Sequence, residues 1–565
     1  MKISVILSLV LLGLTAAADA NLFRNGDFKP ARMRNEETAP DGWLHSDATG
    51  KATRITKQYI SGHQCFKLSF TAGTMTIRFL ETAPEAYYNH PGNFQIYNQT
   101  AVMPELVAPE YRVRGEYKLN KGTLRLLDLK TYPATGKWQG FDVKVSGQLY
   151  NERRAWRLIG FFPQSGLELS LRNFRLEPVY PPSKGKFIRL SDGGKLESLT
   201  VPEKASFDLH YHAAVWQSWL WRLTGVVLPV KEGGSVKNSL VFRKGNLPEG
   251  SWKIKVGSAG GELICGEEAV LWPALCEYLR KLGVVYYAKD CCKIPAVKTD
   301  LVLPAIDKTV NPRFHYITSY GMTYGVVNWI FCSGLDWYTL PWAVPDHTMN
   351  MLLPMELYRE KHPEYYLMET NGSRQKVINP VRMSPCMSNP EAKEIIVENF
   401  GGLVRTAGHF KRSSFLLGDR PDFCHCPDCR KKGDNYSDIM LDLTNAVARK
   451  AAEIRPDFKV DYAAYLKTHD LPKTVKPEPN VCIGVCMQPY NNPCQVHVNC
   501  RENRKAVDNL IGWSKLAGPD LTAITLYEEE RPFHFIERLE FYNQYAKAYL
   551  RLHCDDPQIK YIMVR

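Results

Sequence analysis

The 565-residue sequence lacks several patterns that identify common classes of protein. It contains no P-loop, no dinucleotide-binding glycine fingerprint and no arrangement typical of a serine–histidine–aspartate hydrolase. Lysine and arginine are scattered despite a net charge of +13, so no basic run indicates a nucleic-acid partner. Beyond the N-terminus, no apolar stretch is long enough to predict a membrane span.

The N-terminus has the pattern of a secretory signal peptide. Lys2 is followed by the apolar run Ile3–Leu14 and by Ala18–Ala20, a small-x-small cleavage site. A membrane anchor would need a longer apolar span. We therefore expect residues 1–20 to be removed near Ala20 and the mature protein to be secreted, periplasmic or on the cell surface.

The length predicts three to four domains, and turn residues and periodicity suggest where they lie. Short alternating segments in 21–180 predict a β-sandwich of the jelly-roll type. Mixed periodicity predicts a small α/β domain over 186–303. Alternating strand and helix patterns over 311–565 predict a (β/α) TIM-like barrel. No eighth strand is counted, so we expect a C-terminally incomplete barrel or a truncated sequence.

Two acids follow predicted barrel strands and are the candidates for catalysis. Asp419 follows Ser414–Leu417, and Glu528 follows Ala523–Tyr527. Barrel active sites lie at the carboxyl ends of strands, and glycoside hydrolysis uses two carboxyl groups about 5–10 Å apart. The competing interpretations are a structural cap for Asp419 and a solvated acidic loop for Glu528. No cofactor is required for this chemistry.

Polar and aromatic residues earlier in the predicted barrel suggest a rim that binds a carbohydrate. Asp346 and His347 stand near Trp342, and Glu364 lies in His362-Pro363-Glu364. Imidazole, carboxylate and aromatic groups suit contacts with sugar hydroxyls and C–H faces. A histidine packed in the core is the alternative for His347.

A group of cysteines provides the sharpest local signal in the sequence. Cys424, Cys426 and Cys429 are close enough to converge on one zinc ion, with Cys386 or His425 as a fourth ligand. A disulfide is the alternative in an exported protein. The odd total of 15 cysteines is compatible with metal binding. A zinc site here would be structural, because four protein ligands leave no open position.

Ordered motifs carry resemblances to known families in the first two predicted domains. Asn25–Phe28, Pro40–Trp43 and Leu169–Phe174 resemble galactose-binding-like carbohydrate-binding modules. Leu223–Gly225 and Leu263–Gly266 resemble the small domain that precedes the barrel in α-glucuronidases and β-hexosaminidases.

The third region resembles a family of largely uncharacterised bacterial glycoside-hydrolase-like barrels. The resemblance rests on His362–Tyr366, Asn371–Arg374, Cys386–Glu391 and Gly418–Arg430. It implies a carbohydrate substrate but not a particular sugar, and the family continues beyond this point with a glutamate-bearing segment. We expect an exported glycoside hydrolase. A non-catalytic glycan-binding protein and, more weakly, a structural surface protein are the alternatives.

Overall fold

A computed structural model describes most of the chain from residue 21 onward. The described residues are 21–23, 26–28, 43–46, 59–60, 63–71, 73–89, 94–98, 108–127, 129–147, 157–183, 185–248, 250–266, 271–288, 291–298, 300–311, 316–319, 348–353, 355–375, 383–406, 411–417, 423–487, 504–518, 521–526 and 561–564. The predicted signal peptide, residues 1–20, lies outside them. Over these residues the chain is β-rich and multidomain, as expected.

The N-terminal region contains two five-stranded antiparallel sheets. Its strands are β1 (Trp43–Ser46), β2 (Tyr59–Ile60), β3 (His63–Gln64), β4 (Phe66–Thr71), β5 (Thr74–Phe79), β6 (Phe94–Asn98), β7 (Glu110–Leu119), β8 (Thr123–Leu126), β9 (Lys130–Pro133), β10 (Gln139–Ser146), β11 (Arg157–Phe161) and β12 (Glu168–Val179), with the short helix α1 (Glu85–Tyr88) after β5. The strand orders are β1-β6-β11-β8-β9 and β10-β7-β12-β5-β4. Burial alternates along β4 and β7, which places one face of that sheet in a shared core.

The second region of the chain contains a mixed six-stranded sheet. Its segments are β13 (Ile188–Leu190), β14 (Lys195–Leu196), β15 (Ser198–Val201), α2 (Phe207–Thr224), β16 (Val230–Glu232), β17 (Ser239–Lys244), β18 (Trp252–Gly257), β19 (Gly260–Cys265), α3 (Leu271–Lys281), β20 (Val285–Ala288), β21 (Cys291–Lys293), β22 (Val302–Leu303) and β23 (Ile306–Val310). The strand order is β16-β15-β17-β19-β18-β23. The expected boundary at residue 303 is too early, because β23 pairs with β18 along its whole length.

The third region is built on a six-stranded parallel sheet. Its strands are β24 (Tyr316–Ser319), β25 (Arg412–Ser414), β26 (Lys459–Ala464), β27 (Val481–Met487), β28 (Thr522–Leu526) and β29 (Tyr561–Val564). The order β24-β29-β28-β27-β26-β25 places the last strand beside the first. The C-terminal strand is therefore not at an edge of this sheet, since β29 pairs in parallel with both β28 and β24.

The described α-helices of this region are α4 (Met349–Leu352), α5 (Met355–Tyr358), α6 (Pro390–Thr406), α7 (Pro427–Lys431), α8 (Tyr436–Ile454) and α9 (Arg504–Ala517). Helix α8 packs against β26 and β27, and helix α9 packs against β27 and β28. Val460, Tyr462 and Ala464 of β26 join the apolar cluster that these helices help to form. Because side chains alternate along a strand, Asp461 projects from the opposite face.

Within the part of the chain that the structure describes, no helix has the length and apolar character needed to cross a bilayer.

Candidate functional site

Four cysteine side chains converge beside the helical face of the parallel sheet. The Sγ atoms of Cys386, Cys424, Cys426 and Cys429 all lie within 4.8 Å of one another. The four residues are between 4% and 6% exposed. The structure thus brings together all four predicted metal ligands, and the fourth member is Cys386, not His425.

The local fold of residues 424–431 explains why three of these thiols point to one place. Cys426 is the N-cap of α7, and its Sγ accepts a hydrogen bond from the Cys429 backbone N–H at 3.4 Å. Pro427 occupies the first helical position, where its missing N–H costs nothing. One turn of helix therefore brings Cys429 back beside Cys426.

Cys386 comes from a distant part of the sequence and is placed by backbone contacts. Its N–H donates to the Tyr365 carbonyl at 2.8 Å, just before helix α6 begins. Asn389 caps that helix, because its Oδ1 accepts the Ala392 N–H at 2.9 Å. The Cys386 Sγ then lies 3.6 Å from Cys424, 3.7 Å from Cys426 and 3.8 Å from Cys429.

Neighbouring donors surround the sulfur atoms. The Met368 N–H donates to Cys424 Sγ at 3.3 Å, and the Ser388 hydroxyl donates to Cys429 Sγ at 3.0 Å. Arg374 places a guanidinium nitrogen 3.9 Å from Cys424 Sγ and donates to the Tyr366 carbonyl at 2.8 Å. Neither Ser388 nor Met368 is of a residue type that indicates such a role in a sequence. Arg374 ends the Asn371–Arg374 motif, which by itself predicts no contact with a thiol.

These donors favour a thiolate at one corner of the cluster. Hydrogen bonds with the thiols of Cys386 and Cys429, together with backbone N–H groups, lower the pKa of Cys424 to about 3. The pKa of the Cys429 thiol shifts in the opposite direction because its sulfur neighbours disfavour a second negative charge. Negative charge on a buried sulfur needs a positive partner, which a cation among the four thiols would supply.

Of the predicted catalytic and sugar-binding residues, Glu364 is the one that the structure describes. Its Oε1 lies 3.1 Å from His362 Nδ1, and its side chain is 46% exposed. Glu364 stands in a 3-10 turn, Pro363–Tyr365. Tyr366 and Met368, which follow the turn, form isolated bridges with Pro385 and Arg374. The remaining candidates lie outside the described residues: Trp342, Asp346, His347, Asp419 and Glu528.

Comparison with known proteins gives a family match over part of the chain. The family model described as a domain of unknown function, DUF4838, matches residues 286–533. This span contains every catalytic, sugar-binding and metal-ligating candidate named above. No curated protein sequence matches the chain.

Several solved structures resemble the chain at low sequence identity. A GH20 exo-β-N-acetylglucosaminidase from Vibrio harveyi is 10% identical, with 88% of this chain and 89% of that chain covered and a TM-score of 0.36. A β-N-acetylhexosaminidase from Bacteroides fragilis is 12% identical, with 60% and 72% covered and a TM-score of 0.34. The CBM22-1-GH10 modules of a Clostridium thermocellum xylanase are 10% identical, with 97% and 90% covered and a TM-score of 0.32.

Proposed function

We propose that the protein is an exported glycoside hydrolase that cleaves a polysaccharide or another glycan, with Asp419 and Glu528 as its paired carboxyl groups. The parallel sheet is the observation that carries this proposal. β25 ends at Ser414 and β28 ends at Leu526, and one of the two acids follows each strand closely in the sequence. The carboxyl ends of parallel strands meet at one edge of a sheet, where barrel enzymes hold their catalytic groups.

The spacing of the two strands is compatible with this chemistry. β26 and β27 lie between β25 and β28. Three inter-strand steps of about 4.8 Å separate the two backbones by about 14 Å. Two acidic side chains that extend toward each other from these strand ends would shorten that distance. Paired carboxyl groups in glycosidases stand about 5–10 Å apart, so the strand positions suit such a pair.

The reaction proposed for this pair needs no cofactor. One carboxyl group is protonated and donates its proton to the glycosidic oxygen as the bond to the anomeric carbon breaks. The other is ionised, and it either takes a proton from the attacking water or attacks the anomeric carbon itself. The distance between the two groups decides between these routes.

Substrate contacts are assigned to residues near the start of the barrel region. Asp346, His347 and Trp342 form the proposed sugar-binding rim. Glu364 supports this assignment, because its carboxylate is about half exposed beside His362 and is free to accept hydrogen bonds from sugar hydroxyls.

Turnover by carboxylate variants tests the proposal. A glycan panel identifies a substrate for the full-length wild-type protein, and Asp419→Asn and Glu528→Gln are then assayed on it. We expect each variant to lose about 10²–10⁴-fold in turnover, since removing an acid or base has effects of that size. Asp428→Asn is the matched control, because Asp428 is a 70%-exposed acid of the same segment, paired with Lys431. Wild-type turnover in both folded variants would refute the assignment.

A non-catalytic glycan-binding protein is the second candidate. The observation that favours it is Trp138, a partly exposed indole at the N-terminal end of β10. The Arg172 guanidinium lies 4.1 Å from its ring centroid, and Glu116 accepts hydrogen bonds from Arg172 and Asn173 alongside. An aromatic ring bordered by polar groups suits a sugar. Glycan binding without turnover, lost in Trp138→Ala, would favour this function.

A further inference from the structure

We propose that Cys386, Cys424, Cys426 and Cys429 bind one zinc ion at a tetrahedral structural site. The inference goes beyond the proposed hydrolase function and does not depend on it. It rests on sulfur geometry, on burial and on the groups that surround the thiols.

The distances between sulfur atoms match a single tetrahedral ion. Zinc–thiolate bonds are about 2.3 Å long, so the edge of a regular ZnS₄ tetrahedron is about 3.8 Å. The three distances from Cys386 Sγ, at 3.6, 3.7 and 3.8 Å, are close to that edge. A disulfide would place two sulfurs about 2.05 Å apart, and none of the four cysteines is in one.

A cluster of several metal ions fits these distances less well. An iron–sulfur cluster inserts sulfide ions and more than one iron between its cysteine ligands, which separates their sulfurs further. Tetrahedral coordination by four thiolates is the geometry that zinc prefers in structural sites. The donor set and its compactness therefore favour one zinc ion.

Hydrogen-bond donors surround the sulfur atoms, as a thiolate site requires. Backbone N–H groups of Met368 and Cys429 donate to Cys424 and Cys426, and the Ser388 hydroxyl donates to Cys429. Four thiolates around Zn²⁺ carry a net charge of −2, which the nearby Arg374 guanidinium partly offsets. Such donors orient the ligands and stabilise their charge.

The ion would join two segments that are separate in the sequence. Cys386 precedes helix α6, whereas Cys424, Cys426 and Cys429 belong to the segment that forms helix α7. Met368 and Arg374 come from a third segment, which contacts Cys424 without binding the ion. All four coordination positions are filled by protein, so the site holds structure and does not bind substrate.

Metal analysis of the purified full-length protein tests the proposal. We expect about one zinc per chain by elemental analysis after extensive dialysis. A mercurial reagent should release that zinc, detected with a colorimetric chelator. Refolding with Co²⁺ should give the strong thiolate-to-cobalt absorption and the intense visible bands of a tetrahedral tetrathiolate site.

Single cysteine substitutions test which residues bind the zinc ion. Cys424→Ser and Cys386→Ser should each lose most of the bound zinc, whereas Cys482→Ala, which removes a buried thiol outside the cluster, should keep it. If the cluster variants do not fold, zinc release and the cobalt spectrum of the wild-type protein still decide the question. Metal-free wild-type protein, iron in place of zinc, or a disulfide among these cysteines in a non-reduced digest would each overturn the proposal.

Discussion

The N-terminal sandwich and the C-terminal parallel sheet both bury apolar cores, but ion pairs in the two regions differ in how far their side chains are exposed to solvent. In the sandwich, Phe79 packs against Phe94 and Phe161 with ring centroids 5.3 and 5.8 Å away. One of its described ion pairs joins Arg112 and Asp142, which keep 41% and 44% of their side-chain surface exposed. Water already solvates such charges, so pairing them adds little stability.

The parallel sheet contains an ion pair between two largely buried side chains. Arg412 on β25 donates to Asp461 on β26 at 2.6 and 2.8 Å, and these side chains are 7% and 11% exposed. A parallel sheet is covered on both faces, so a polar group on its inner face needs a partner within the protein. The comparison teaches that the exposed Arg112–Asp142 pair can lose one partner at little cost, whereas the buried Arg412–Asp461 pair would be left with an unpaired charge.

Breaking the buried pair should have the largest effect. Asp461→Asn leaves the Arg412 charge without its carboxylate, and we expect local stability to fall by about 3–5 kcal/mol. Hydrogen exchange under increasing urea measures this in peptides from 411–417 and 459–464, with sandwich peptides from 110–119 as the internal control. The double variant Arg412→Met/Asp461→Leu should recover much of the loss, because both buried charges are removed. A single variant as stable as the wild type would contradict the comparison.

A partly solvated acid of the same region should have an intermediate effect that depends on pH. The Asp438 carboxylate accepts backbone N–H groups of Lys473, Thr474 and Val475 at 3.1, 2.9 and 2.8 Å. Although partial burial opposes ionisation, these hydrogen bonds lower the pKa of Asp438 below its usual value. The folded state therefore holds fewer protons than the unfolded state, and this stability is present above the unfolded carboxyl pKa of about 3.9.

Asp438→Asn should cost about 1 kcal/mol at neutral pH, a modest value because solvent screens the carboxylate. The difference from the wild type should shrink as the pH falls through the lowered pKa of the folded state, where the wild-type carboxyl group also becomes neutral. Urea midpoints measured from pH 7 to pH 3 check this. A difference that stays constant with pH would exclude the proposed role of the charge.

The smallest effect is expected on the outer face of the sandwich. The Arg112 guanidinium hydrogen-bonds Asp142 and lowers the pKa of that carboxyl group, but both side chains are well exposed. Asp142→Asn should therefore leave the unfolding midpoint of the sandwich unchanged within error at moderate salt. A clear loss of stability would show that the two regions differ less than their exposure indicates.

Short-range patterns predicted individual elements well. The alternation in Thr74–Phe79 predicts a strand, and β5 has those bounds. Asn389 before Pro390 predicts a helix cap, and its hydrogen bond is present at the start of α6. At α8 the sequence predicts Ser437 as the cap, but Asn435 accepts the Asp438 N–H, while Ser437 donates to the Thr468 carbonyl. Two polar residues close together in the sequence compete for that role, and contacts with a distant loop decide it.

In the cysteine cluster, too, one part depends on residues close together in the sequence and another part on residues far apart. The Cys424-x-Cys426-x-x-Cys429 spacing is local, because one helical turn returns Cys429 to Cys426. Neighbouring residues do not decide whether Cys386 or His425 is the fourth member. That depends on how the loop before α6 packs against Tyr365. The catalytic roles of Asp419 and Glu528 stay predictions, which rest on the strands that these acids follow.

The sequence by itself determined the periodicity of strands and helices, the Asn389 cap of α6 and the three-cysteine motif. These depend on residues a few positions apart, whose interactions are nearly the same in any fold. Only the tertiary structure decided that β23 completes the middle sheet and that β29 lies between β28 and β24. It also decided that Cys386 joins the cluster. Each of these pairings joins distant parts of the chain, and the packing of the whole molecule selects it from many alternatives.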